Sequence, residues 1–153
     1  MSETNNLSYN YLKSRAKSAL NSTKSIYNAA AISKDYYMAF DAAFELAMSA
    51  EYMLKALLAK NGNDISETHD HIRLIDICGR NGIKIPSEIR SYGSVLKEYQ
   101  QKCRYDEEYD FDKTEFEYVE KIVEKYINIL LNDDADSNKA STIRNKADGI
   151  LNG

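Results

Sequence analysis

The stretch DYYMAFDAAFELAMSAEYMLKALLAK, residues 35–60, decides how this chain folds. With Asp41 set at the origin and about 100° added per residue, Glu45 falls near 40°, Ser49 near 80°, Glu51 near 280° and Lys55 near 320°. The polar interior residues therefore share one arc about 160° wide. Met38, Met48 and Tyr52 fall inside the same arc, while Phe40, Ala47, Leu54 and Leu58 take the other side. A helix this apolar belongs at the centre of a bundle, with its mixed arc as a contact surface. Asn61-Gly62 ends it with a pair that tolerates a left-handed cap.

The flanking sequence is helical as well. Leu12, Ala16, Ala19, Leu20, Ile26, Tyr27 and Ala30 recur at three- and four-residue steps and predict a helix over 8–31. A third helix starts after Ser66-Glu67-Thr68, with Thr68 or Ser66 as cap, and stops at Gly79 or Gly82. Pro86 suits the first turn of a fourth, whose stripe is Ile89, Tyr92, Leu96, Tyr99 and Cys103. Asp112-Lys113-Thr114-Glu115 resembles a capping box and opens a fifth, with Phe116, Val119, Ile122, Val123, Tyr126, Ile129 and Leu130 on its apolar face. Beyond Leu131 large apolar residues become few. The expectation is an all-α protein, a mostly antiparallel bundle of five helices over residues 1–131. A polar tail over 132–153 would follow, flexible or with one short helix.

Composition narrows the function. The 153 residues carry a net charge of −4, without the basic excess of a protein that coats nucleic acid nonspecifically. Two cysteines, Cys78 and Cys103, are too few for a disulfide scaffold and lack metal spacing, which fits a reducing cytoplasm. No apolar run is long enough to span a bilayer, and the N-terminus has neither the basic nor the apolar region of a signal peptide. No phosphate-cradling glycine loop, no paired-histidine zinc motif and no nucleophile elbow occurs, so no cofactor is expected.

Three constellations remain. Glu51 and Lys55 are spaced as a favourable pair on one helix face, either solvated or projecting into a groove. His69 and His71 lie about 200° apart on a helix and do not bind one metal from one face, but one of them can line a polar pocket. The segment KCRYDEEYDF, 102–111, joins the planar donor fork of Arg104 to the rings of Tyr105, Tyr109 and Phe111. Asp106, Glu107, Glu108, Asp110 and Asp112 surround that arginine and oppose phosphate. The plain alternative ties Arg104 to Asp106 or Glu51 and makes the segment a helix corner.

The order of three pieces is similar to the HEPN family. They are the alanine-spaced run from Ala39 into Ala50-Glu51-Tyr52-Met53-Leu54-Lys55-Ala56-Leu57-Leu58 and on to Gly62, then Thr68-His69-Asp70, then Arg104-Tyr105-Asp106. The resemblance covers about residues 8–131. It implies a bundle of four or five helices that usually dimerises, with a polar groove at the Arg-Tyr corner used on RNA or nucleotides. Many family members are metal-independent ribonucleases that carry Arg, four to six residues, then His. None of Arg15, Arg73, Arg80, Arg90, Arg104 or Arg144 is followed by His at that spacing. A subgroup paired with a small nucleotidyltransferase carries Arg-x4-His-x-Tyr; here Tyr109 and Phe111 stand at the last two positions. A phenol is a poor substitute for imidazole at neutral pH. The subgroup with Arg-Tyr-Pro-Asp is closer, although here Asp106 follows Tyr105 directly.

The resemblance implies a non-catalytic binding module, a homodimer beside a nucleotidyltransferase partner in a toxin–antitoxin or defence system. Glu51, Lys55, His69, Arg104, Tyr105, Asp106 and Tyr109 would surround a groove for a nucleotide, a nucleic acid or a partner protein. The enzyme alternative is a divergent ribonuclease using Arg104 with His69 or His71, which requires the start of the third helix to lie near the end of the fourth. A third alternative is a pure interaction module whose acidic corner masks something basic.

Overall fold

A computed structural model describes the backbone of residues 3–65 and 67–152 and the side chains of 8–65 and 67–132. The described residues form six helices and no strand: α1 Glu3–Ser33, α2 Tyr36–Lys60, α3 His71–Arg80, α4 Ser87–Ser91, α5 Gly93–Lys102 and α6 Lys113–Asn152. The family of apolar repeats thus gives an all-α protein, with one helix more than the five expected.

α2 is the centre. It packs against α1, α3, α5 and α6. Its alanines explain how one helix touches so many others: Ala42, Ala43, Ala47, Ala50 and Ala56 are wholly buried, and small side chains let neighbouring backbones approach. Leu46, Leu54 and Leu58 are also wholly buried, each worth about 1.5–3 kcal/mol relative to exposure. Arg15 of α1 lies over the ring of Tyr52 near the end of α2, while Ser33 at the end of α1 meets Met38 at the start of α2.

The extra helix comes from a bend at Tyr92, where φ is −105° and ψ 12°. Gly93 explains it. A Cβ on that glycine would stand 2.9 Å from Cδ1 of Ile75, so the missing side chain lets α5 close onto α3. The Tyr92 ring meanwhile packs on Tyr118 of α6, 5.5 Å between centroids.

Helix ends follow local chemistry. Asp35 caps α2, accepting from the Tyr37 amide at 3.0 Å and the Met38 amide at 3.3 Å. Gly62 takes the left-handed conformation at φ 75°, as the Asn61-Gly62 pair implies. Asp112 caps α6 by accepting from the Glu115 amide at 3.0 Å. The cap of α3 is a correction. Asp70 takes that role, accepting from the amides of Ile72 and Arg73, while Thr68 accepts from the amide of Asp70 itself. Ser66 lies outside the described residues. α6 continues past residue 131 as helix to Asn152.

The corner over 103–112 is pinned at both ends. Cys103 and Phe111 are buried, and the Phe111 ring lies 5.6 Å from both Phe40 and Phe116. Between these anchors Tyr105 stands out, 79% exposed.

Asp70 also receives Lys97 Nζ at 2.9 Å, so one carboxylate caps α3 and ties it to α5. Lys97 holds the Asp70 carboxyl below its ordinary range. Asp70→Ala is expected to cost about 1 kcal/mol in urea unfolding. Because the folded pKa is lowered, the Asp70 contribution is present above the unfolded value and lost as pH falls through the folded one. An Asp70→Ala protein as stable as the wild type at neutral pH would contradict this role.

Candidate functional site

The site is built on α2 from the inside outward. Glu51 is 1% exposed, and a buried carboxylate is costly unless it is fully partnered. Lys55, one turn along the same helix, places Nζ 3.3 Å from Oε2. His69, from the segment before α3, places Nδ1 3.1 Å from both carboxylate oxygens. Gln100 of α5 donates from Nε2 to Oε1 at 3.1 Å. Three segments of chain thus converge on one side chain.

This geometry orients His69. With Nδ1–H donating to the carboxylate, Nε2 is left for solvent or a ligand. The side chain is 69% exposed, so the imidazole is held at its inner edge and open at its outer one. His69 lines an open cleft of about 550 Å³ together with Phe44, Thr68, Asp70, Gln100, Gln101 and Tyr105.

Arg104 sits at the adjoining corner. Its guanidinium stacks 3.7 Å from the centroid of Phe44, and Nη2 lies 3.5 Å from Glu45 Oε1. A cation over an aromatic face and beside a carboxylate is preorganised rather than free. The expected tie to Asp106 or Glu51 is replaced by Glu45. Asp106 instead accepts from the Glu108 amide at 3.1 Å, closing the turn of the corner. Asp106 and Arg104 line a second cleft of about 610 Å³ with Tyr37, Asp41 and Glu107. Tyr105 belongs to both clefts and divides them.

Several expectations change. Glu51 and Lys55 are neither a solvated pair nor open in the groove: both are buried behind it, and His69 and Gln100 carry their influence outward. Tyr109 lines neither cleft. Its hydroxyl donates to Glu98 Oε2 at 3.2 Å, and burial first, then Glu98, raise its pKa, so it is no general base. His71 is wholly buried, its Nε2 2.7 Å from the carbonyl of Ala47, and it faces no cleft. Gln100 is the residue that reading by motif misses. The available signal is its position one helical turn before Arg104, on the same face. Among the described residues no cluster of three or more His, Cys, Asp or Glu is placed to hold a metal ion, and no helix is long and apolar enough to cross a membrane.

Burial lowers the pKa of His71 below its ordinary 6.5. The neutral ring donates to Ala47 through Nε2, and Nδ1 is buried without a partner. The unfolded chain then takes up a proton that the folded one refuses, so stability falls as pH drops below about 6.5. His71→Gln keeps a donor for Ala47 and cannot titrate. Its loss of stability between about pH 7.5 and pH 5, read by urea unfolding, is expected to be smaller than that of the wild type. Equal losses in the two proteins would contradict the assignment.

A model of the HEPN domain matches residues 9–133. No curated protein and no solved structure matches the chain. The matched span contains the Glu51 network, the Thr68-His69-Asp70 segment and the Arg104 corner. The chain belongs to the HEPN family.

Proposed function

We propose that this protein is a HEPN binding module whose paired clefts take a nucleotide or a short single strand of RNA. The observation that carries the reading is the buried Glu51 carboxylate holding His69 with its outer nitrogen turned to the cleft. Arg104 supplies donors for a phosphate, the outer Nε2 of His69 accepts from a ribose hydroxyl or a base amino group, and the exposed Tyr105 ring, which lines both clefts, supplies a stacking face. In this reading the module is a cytoplasmic homodimer that works beside a nucleotidyltransferase partner in a toxin–antitoxin or defence system, without a cofactor.

One observation favours a second reading, a divergent metal-independent ribonuclease. His69 shares a cleft with Gln100, Gln101 and Tyr105, so the segment before α3 does meet the end of α5. A histidine held by a carboxylate and open at Nε2 is suited to take the proton of a ribose 2′-hydroxyl as its oxygen attacks the adjacent phosphate, forming a 2′,3′-cyclic phosphate and displacing the 5′-oxygen of the next nucleotide, which takes a proton from water. His71 has no part in this.

One set of proteins separates the readings. Wild type, His69→Ala, Arg104→Ala and Tyr105→Ala are titrated with a labelled RNA oligonucleotide and assayed for cleavage without metal. The binding module predicts saturable binding, intact RNA, and binding about tenfold weaker in Tyr105→Ala. Cleavage lost in both His69→Ala and Arg104→Ala would replace the binding reading with the ribonuclease. Binding unchanged in all three variants would remove this site from either.

A further inference from the structure

At the opposite side of the Phe40–Phe111 cluster lies a cavity of about 310 Å³ between the end of α1, the start of α2 and the start of α6. It is lined by Ala30, Ala31 and Ala39, whose small side chains leave the space open, and by Tyr36 and Phe111, whose rings meet edge to face with 6.2 Å between centroids. The volume lies at the lower end of the range for small-molecule sites.

The rim is charged. Lys34 and Lys113 line the cavity, both exposed, and neither has a hydrogen-bond or ion-pair partner among the described residues. Asp35 is the third charge there, but its carboxylate accepts from the amides of Tyr37 and Met38. Two ammonium groups and one partly engaged carboxylate therefore stand at the mouth of an apolar space.

Lys34 carries a second signal. Its φ is 58°, the one left-handed non-glycine residue among those described. Glycine is the favoured residue at such a position after a helix, and a lysine there holds strain. Helix termination alone does not call for a lysine at this position.

We propose that this cavity binds a small organic anion with an aromatic or apolar body, the body on the alanines beside the Tyr36–Phe111 pair and the carboxylate at Lys34 and Lys113. The site is separate from the clefts around Tyr105: no residue lines both it and either of them. It takes an anion rather than a neutral apolar molecule because two rim cations outnumber the one rim anion, Asp35, whose Oδ1 is already engaged by two backbone amides.

The test uses the whole chain and 2-naphthoate as probe, with neutral 2-naphthylmethanol as comparison, in isothermal titration calorimetry. Saturable 2-naphthoate binding is expected, with the alcohol much weaker. Lys34→Gly is the informative variant. It should raise the midpoint of thermal unfolding, because strain is relieved, and weaken 2-naphthoate about fivefold. Lys113→Gln should weaken it similarly, and Ala31→Leu, which fills the cavity, should abolish it. Equal binding of acid and alcohol would overturn the anion site. So would 2-naphthoate binding indifferent to Lys34→Gly, Lys113→Gln and Ala31→Leu, or no binding of 2-naphthoate by the wild type.

Discussion

A carboxylate buried in an apolar helix is the constraint on which the rest of this structure turns. Glu51 lies in α2 among alanines and leucines, where an unpaired charge would cost several kcal/mol. Its partners come from three places: Lys55 from its own helix, His69 from the segment before α3, and Gln100 from α5. Satisfying one charge thereby fixes the approach of two other segments. The alanines beside it in α2 make that convergence sterically possible.

The corner after α5 depends on the same economy of small and large residues. Cys103 and Phe111 anchor its ends in the core, so the acidic residues between them stay at the surface and Tyr105 projects. Phe44 serves two purposes at once. One part of its ring surface lines the cleft with His69, and its face carries the Arg104 guanidinium. Glu45, the next residue, completes the arginine's environment. Neighbours on α2 therefore position a cation beside the cleft, and Glu51 positions an imidazole within it.

Much of this was legible in the sequence, and the exceptions have physical causes. Helical periodicity and end signals located the major helices, because Gly62 and Asp112 act through contacts a few residues long. The bend at Tyr92 was not legible: it arises from Gly93 meeting Ile75, a contact between residues far apart in sequence. The order of Glu51, His69 and Arg104 pointed to one region. Burial of Glu51 and Lys55 did not follow, since the same spacing describes a solvated surface pair. Gln100 carries no chemical signature of its own, and its role appears only when α5 lies against α2. His69 and His71 looked equivalent in sequence and differ because one ring faces a cleft and the other the carbonyl of Ala47.

The two histidines, the only ones in the chain, provide the most direct test. Long-range proton–nitrogen correlation of their imidazole rings reads the tautomer of each at a pH where the rings are neutral. The account predicts opposite tautomers: His69 with its proton on Nδ1, donated to Glu51, and His71 with its proton on Nε2, donated to Ala47. Glu51→Leu, which offers no acceptor oxygen, should abolish the preference at His69 and leave His71 unchanged. If His69 instead carries its proton on Nε2, or keeps its Nδ1–H in Glu51→Leu, the buried carboxylate does not organise this site and the central claim fails.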